Sequence, residues 1–139
     1  MLITAIFHPV GIADPLLTYP LKVGGHPVRV ELANTEESRR QGLMFRRRLA
    51  DDQGMLFVYE KPEPVAMWMR NTYVPLSVAF IDESGRILNI EDMTPLTDTT
   101  HASRGSAKYA LEVNRGWFAQ RGIKPGDRID GLKSLPGPR

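Results

Sequence analysis

The apolar and polar positions of the chain alternate in short runs, which is the spacing of β-strands. Residues 17–23 and 28–32 each alternate between apolar and polar side chains, and Gly24 and Gly25 lie between the two runs. Alternation on both sides of a paired-glycine turn predicts a β-hairpin. Pro20 cannot donate a hydrogen bond to a neighbouring strand, so we expect the first strand of this hairpin to lie at a sheet edge.

The rest of the chain repeats this pattern of short strands separated by turns. Further strands are predicted over residues 54–59, 66–69, 76–81, 86–90, 108–113 and 128–130. The segment Lys61-Pro62-Glu63-Pro64 predicts a turn between the first two of these strands. Thr35 is placed to cap a short helix that Gly42 ends, and residues 115–120 predict a second short helix.

About eight strands with two short helices predict a single α+β domain dominated by antiparallel strands. The regular spacing of turns favours a small barrel or half-closed barrel over parallel β-α-β units. We expect the globular domain to span residues 16–132. Residues 1–15 are interpreted as an N-terminal segment that is flexible or derived from a leader, and residues 133–139 as a flexible tail rich in proline and glycine.

Composition removes several classes of protein. The chain of 139 residues has no cysteine, which excludes disulfides, thiolate metal sites and a cysteine nucleophile. Three histidines offer little for a metal site, so we expect no metal and no cofactor. The 18 basic and 16 acidic residues nearly balance, and although arginines cluster within residues 39–48, this pattern does not predict a nucleic-acid partner. No apolar run reaches the ~20 residues of a membrane-spanning helix.

Four separated blocks of sequence resemble the family known as domain of unknown function 192. The blocks are Gly42-Leu43-Met44-Phe45-Arg46, Gly54-Met55-Leu56-Phe57, Trp68-Met69-Arg70-Asn71-Thr72 and Leu111-Glu112. The resemblance spans residues 28–130 and implies a compact β-rich domain of bacteria or archaea, with no established reaction. Because such proteins are often exported or anchored behind a leader, it slightly favours a periplasmic or exported location, although residues 1–12 form no clear signal peptide.

One position departs from the pattern of the resembled family. That pattern commonly reads Asn-Thr-x-x-Pro-Leu-Asp, whereas this chain continues from Pro75-Leu76 to Ser77. An acid or metal ligand at this position would therefore be missing here. This difference argues against a shared acid–base mechanism and affects a binding role less.

Five residues form the candidate ligand-binding set: Arg46, Trp68, Arg70, Asn71 and Glu112. Tryptophan supplies a flat apolar face, arginine a planar fork for carboxylate or phosphate, and an amide both donors and acceptors. We expect a cleft for a small polar or anionic ligand and a non-catalytic binding or accessory role. The alternative is that the tryptophan belongs to the core while the other residues make turn and backbone contacts.

Glu112 interrupts an apolar strand and supports a second hypothesis. A carboxylate on a half-buried face needs a partner, and Arg46 is the predicted one, in a structural ion pair. Glu112 could instead be the acid or base of an enzyme acting on a small polar or sugar-like substrate. Because no paired acids, serine triad or nucleotide-binding motif accompanies it, the sequence argues against an enzyme without excluding one.

Met67 and Met69 support a third hypothesis, a Cu(I) site shielded by Trp68, because soft thioethers select Cu(I). Core packing is the competing interpretation and the one we favour, since methionine fills irregular gaps in small cores. The expected partner is thus an unidentified small molecule or protein. We expect a monomer or a weak dimer, because the edge strand at residues 16–23 could pair with a second copy.

Overall fold

The computed structural model describes residues 17–139, so the expectations for residues 1–15 lie outside the described residues. Seven strands occur in this part of the chain: β1 (Tyr19–Val23), β2 (His26–Ala33), β3 (Gln53–Met67), β4 (Leu76–Ile81), β5 (Ile87–Met93), β6 (His101–Asn114) and β7 (Ile129–Asp130). Its helices are α1 (Glu36–Gln41), α2 (Trp117–Gln120) and a 3₁₀ turn at Leu132–Ser134.

All seven strands belong to one sheet with the order β5-β4-β6-β3-β2-β1-β7. Its pairs are antiparallel except for β2 and β3, which run parallel. The sheet curls so that its two edge strands approach each other, and an isolated bridge joins Arg86 to Arg128. The mainly antiparallel α+β half-barrel that the sequence predicted is therefore confirmed.

Two details of the sequence prediction were wrong, and one strand pairing was not predicted. The parallel pairing of β2 with β3 through α1 is a crossover, which needs a long connection and which strand spacing alone did not reveal. The turn predicted at residues 61–64 does not form, because β3 continues to Met67 through register shifts that tolerate the prolines. Strand β1 is not the edge, although β7 covers only Lys22 and Val23 and leaves Pro20 beyond it.

The sheet is buried on both faces along its centre. The inner cluster draws residues from both edge strands and from α2, and so fills the half-barrel; it includes Leu21, Val30, Leu56, Ile87, Leu111, Trp117, Phe118 and Ile129. The outer cluster covers the opposite face of β3, β4 and β6 and includes Leu43, Met55, Phe57, Met69, Val78, Phe80 and Met93. Strand alternation sends successive residues of these central strands into different clusters.

Helix α1 forms where the sequence placed it. The Thr35 hydroxyl accepts a hydrogen bond from the Ser38 N–H, and the Ser38 hydroxyl accepts one from the Thr35 N–H, which closes a capping box. Gly42 ends the helix with a φ of 51°, and its N–H donates to the Ser38 carbonyl. These caps fix the direction of α1 and therefore the placement of Arg39 in its last turn.

The C-terminal tail contacts the connection that follows β2. The Asn34 side chain donates a hydrogen bond to the Gly137 carbonyl, and the Arg139 N–H donates to the Asn34 carbonyl. The flexibility of residues 133–139 stays a prediction.

Strands β3 and β6 leave no room for a side chain at Gly54 of β3, which lies opposite Val113 of β6. A Cβ atom at Gly54 would lie 2.5 Å from the Glu112 carbonyl oxygen and 2.9 Å from a methyl group of Val113. We therefore expect Gly54→Ala to lower the free energy of unfolding by at least about 1–3 kcal/mol, measured by urea unfolding. Gly137→Ala is the matched control, because no atom lies within 4 Å of its added Cβ. Equal stabilities of the two variants would contradict this account.

Candidate functional site

A row of five side-chain positions crosses the outer face of the sheet from β2 to β5. Strand register aligns Glu31, Met55, Glu112, Val78 and Glu91 in this order. Glu112 occupies the centre of the row, on a strand that is buried on both faces, and only 5% of the residue is exposed. A carboxyl group is thereby placed among apolar neighbours, where its charged form is disfavoured.

Burial raises the pKa of Glu112 from its ordinary value of 4.5 to about 8. No ion pair or hydrogen bond to its carboxyl group is formed within residues 17–139. At neutral pH the group is therefore mainly protonated, and it can donate one hydrogen bond as well as accept others.

The predicted ion pair between Arg46 and Glu112 was wrong. Arg46 instead forms a bidentate ion pair with Glu31 through its two terminal guanidinium nitrogens, with N–O distances of 2.5 and 2.7 Å. The hydrogen bonds that Arg46 donates to Glu31 are the main reason that the pKa of Arg46 is raised. Glu31 lies in the same cross-strand row as Glu112 but two strands away, or about 10 Å at the usual strand spacing. A surface-facing arginine thus pairs with the carboxylate nearer the sheet edge.

A cavity of about 190 Å³ opens next to Glu112. Phe57 and Tyr59 of β3 line it together with Glu112, so one side of the cavity is the outer face of the sheet. The rest of the lining comes from α1, from the end of β3 and from the loop that follows it, including Arg39 and Trp68. Burial, followed by the nearby charge of Glu112, raises the pKa of Tyr59, which keeps its hydroxyl protonated.

Of the five residues in the predicted ligand set, Trp68 and Glu112 line this cavity, and the other three lie outside its lining. The Arg70 guanidinium stacks 3.8 Å from the centre of the Trp68 ring and also bonds to Asp98 at 3.1 Å. Asn71 adopts a left-handed conformation with a φ of 53°, which agrees with the turn interpretation of this residue. The structure therefore brings Trp68 and Glu112 together at the cavity, whereas Arg46, Arg70 and Asn71 make contacts elsewhere.

Sequence reasoning missed Arg39 and Tyr59 as cavity residues. Arg39 belongs to the arginine cluster at residues 39–48, and it donates a 2.9 Å hydrogen bond to the Val58 carbonyl and lies over the Tyr59 ring. Tyr59 lies two residues after Phe57 on β3, and therefore on the same face of the sheet. The spacing of two residues could have placed Tyr59 and Phe57 on one face from the sequence alone. Placing them beside Glu112 also requires the pairing of β3 with β6, which the sequence does not show.

The two methionines of the Cu(I) hypothesis lie in different surroundings. Met67 lines the cavity, together with Met44, whereas Met69 is completely buried in the outer cluster. The pair therefore does not converge at a solvent-facing site, and core packing accounts for Met69.

Ser77, where the resembled family commonly has aspartate, faces away from the cavity. Its hydroxyl donates a 2.6 Å hydrogen bond to Asp92 and accepts one of 3.0 Å from the Gly116 N–H at the start of α2. Ser77 and the cavity residue Glu112 lie on opposite faces of the sheet, as the register of β4 with β6 requires. The departure from the family pattern therefore lies at a structural contact.

Comparisons with known proteins find a family and related structures. Residues 19–131 match the DUF192 family, described as Uncharacterized ACR. A Sinorhizobium meliloti 1021 protein, provisionally labelled a transcription regulator, is similar with a TM-score of 0.81 and 39% identity, over 86% of this chain and 98% of that one. A Novosphingobium aromaticivorans DSM 12444 protein of unknown function is similar with a TM-score of 0.80 and 38% identity, over 89% and 90%. A comparison with curated proteins finds no match.

Among residues 17–139, no helix has the length and apolar character required to span a membrane.

Glu112 makes the stability of the protein depend on pH. In the unfolded chain it ionises near pH 4.5, whereas the folded protein holds its proton up to about pH 8. Its contribution to stability is therefore complete below pH 4.5 and is lost as the pH rises to about 8. Glu112→Gln removes the ionisable group and therefore this loss. Relative to the unchanged protein, the free energy of unfolding of the variant should rise by roughly 1.4 kcal/mol per pH unit across that window, or a few kcal/mol in all.

Urea unfolding at pH values below, within and above this window measures the effect. Glu83→Gln, which makes the same change at an exposed position, should keep the pH profile of the unchanged protein. Parallel profiles of Glu112→Gln and the unchanged protein would show that Glu112 ionises normally.

Proposed function

The chain belongs to the DUF192 family of uncharacterised proteins, and we propose that it binds a small polar ligand in the cavity beside Glu112. The role is that of a non-catalytic binding or accessory protein. The observation that carries the proposal is the carboxyl group of Glu112, which lies at the cavity wall on a residue only 5% exposed and has no partner within residues 17–139. A buried polar group without a protein partner costs free energy, and a ligand that supplies hydrogen bonds removes this cost.

The size of the cavity limits the ligand. Its volume of about 190 Å³ is below the ~300–1,000 Å³ that is typical of sites for drug-sized molecules. The site therefore suits a single small unit, such as a monosaccharide or a short hydroxy acid.

The lining determines the chemistry of the ligand. A protonated Glu112 donates a hydrogen bond to a hydroxyl or carbonyl oxygen, and the Arg39 guanidinium attracts an anionic group. Phe57 and Trp68 contribute apolar surface, against which the C–H face of a sugar ring can pack. A sugar acid or hydroxy acid combines these features and is the ligand class that we favour.

An enzyme acting on the same ligand is the second candidate, because a carboxyl group with a pKa of about 8 suits a general acid. An acid–base mechanism also needs a group that accepts a proton. In the described part of the chain, no second carboxylate and no histidine lines the cavity, and Tyr59 has a raised pKa. We therefore favour binding over catalysis, because binding does not need a second group that accepts a proton.

The Sinorhizobium relative is provisionally labelled a transcription regulator, but this chain has no helix-turn-helix unit for DNA binding in its described residues. A helix-turn-helix unit places two successive helices side by side, with the second in the major groove. Here α1 and α2 are separated by four strands, and they contain 6 and 4 residues. These helices support no such unit.

A thermal-shift and calorimetric screen with monosaccharides, sugar acids, hydroxy acids and Cu(I) tests the proposal. A ligand present at 100 times its Kd adds about 2.7 kcal/mol to the free energy of unfolding, which raises Tm by several degrees. We expect a sugar acid or hydroxy acid to do so, and Trp68→Ala and Glu112→Met to weaken its binding at least about tenfold, since each removes a direct contact.

Two further variants sharpen this test. Glu112→Gln retains a donor and an acceptor, so it should bind at neutral pH and should not lose affinity above pH 8, where the unchanged protein does. Glu83→Met, the matched change at an exposed glutamate, should bind normally. Full affinity in Glu112→Met would refute the site, and conversion of the ligand, followed by NMR, would favour the enzyme.

A further inference from the structure

Three residues with left-handed backbone meet at one junction on the surface. Phe45, Asn71 and Leu96 have φ values of 66°, 53° and 61°, and they are the non-glycine residues with positive φ in residues 17–139. The Phe45 N–H donates a 2.8 Å hydrogen bond to the Asn71 carbonyl, and the Leu96 N–H donates to the carbonyls of Met69 and Thr72 at 3.1 Å. Backbone hydrogen bonds therefore connect the loops that carry these three residues.

Phe45 and Leu96 are unfavourable residue types for a left-handed backbone conformation. Asparagine tolerates left-handed backbone, whereas phenylalanine and leucine adopt it at a cost. Phe45 is 62% exposed and Leu96 is 58% exposed, so packing within the chain does not offset that cost. Strained residues of this kind cluster at functional sites.

The same junction carries most of the exposed apolar surface. Four of the five large apolar residues that are exposed in the described chain are Phe45, Trp68, Tyr73 and Leu96, which we call the aromatic patch. Trp68 and Tyr73 lie on either side of the turn that contains Asn71. Large apolar groups that are exposed together mark a surface that is covered during function.

We propose that the aromatic patch docks the protein onto an anionic lipid surface. Arg47 and Arg48 are exposed next to Phe45, and neither forms an ion pair within residues 17–139. The Arg47 guanidinium lies 4.7 Å from the centre of the Tyr73 ring. Guanidinium groups bind phosphate oxygens, and tryptophan and tyrosine favour the level of the lipid headgroups. Phe45 and Leu96 then enter the apolar boundary below the headgroups.

The placement of these residues favours a lipid surface over another protein. Phe45, Tyr73 and Leu96 come from three separate loops and do not line the cavity, and a lipid surface accepts such side chains without a matching shape. A second copy docked through the same patch would bring its Arg47 and Arg48 towards those of the first copy, which like charges oppose.

Binding of the full chain to vesicles tests the proposal. One set of vesicles contains equal parts of phosphatidylglycerol and phosphatidylcholine, and the other contains phosphatidylcholine alone. Each arginine should increase partitioning onto the anionic vesicles about fivefold, so the preference should exceed tenfold and should fall with added salt. Trp68 is 42% exposed and Trp117 is buried, so quenching by brominated lipid should report Trp68 and should disappear in Trp68→Phe.

Substitutions within the patch separate docking from other binding by the same chain. The double variant Phe45→Asn and Leu96→Asn should retain or raise Tm, because asparagine suits left-handed backbone, and should partition at least about tenfold less. Leu17→Asn is the matched control, because Leu17 is exposed outside the patch and its loss should leave binding unchanged. Arg47→Gln with Arg48→Gln should abolish the preference for anionic vesicles. Absence of binding, or binding that survives the double substitution in the patch, overturns the proposal.

Discussion

The pairing of β3 with β6 is the contact on which the rest of the structure depends. The two strands contain 15 and 14 residues, and their register extends from Gly54 opposite Val113 to Met67 opposite His101. They supply residues to both the inner and the outer cluster, so neither face of the sheet is available to water at its centre. The absence of a side chain at Gly54 lets the strands approach, and Glu112 lies directly beside this approach.

This constraint also produces the candidate site. The carboxyl group of Glu112 lies at a central position of β6, and Arg46, the arginine that the sequence paired with it, binds Glu31 nearer the edge instead. Burial raises the pKa of Glu112 to about 8, and its side chain lines the cavity beside α1. Departures from the usual burial rules are concentrated at functional positions, and Glu112 is such a departure in an otherwise apolar strand.

Local features of the fold could be predicted from the sequence, whereas pairings over long distances could not. The cap at Thr35 and the glycine turn before β2 depend on neighbouring residues, and both were predicted correctly. The turn expected at residues 61–64 was wrong because bulges against β6 accommodate its prolines, which is a property of the partner strand. In the same way, a carboxylate on a half-buried face was predicted, but the pairing of Arg46 with Glu31 rather than with Glu112 depends on strand order.

The seam between the two edge strands has a consequence for association between copies of the chain. A free sheet edge presents unpaired N–H and carbonyl groups that can recruit a strand from another molecule. Here the bridge between Arg86 and Arg128, with the flanking hydrogen bonds from Ile87 to Asp127 and from Ile129 to Gly85, ties one end of both edges together. Loss of the residues after Asp127 would also free Lys22 and Val23 of β1 and the start of β5, so both edges of the sheet could pair along their whole length. We therefore expect β7, although it has only two residues, to limit edge-to-edge association between copies of the chain.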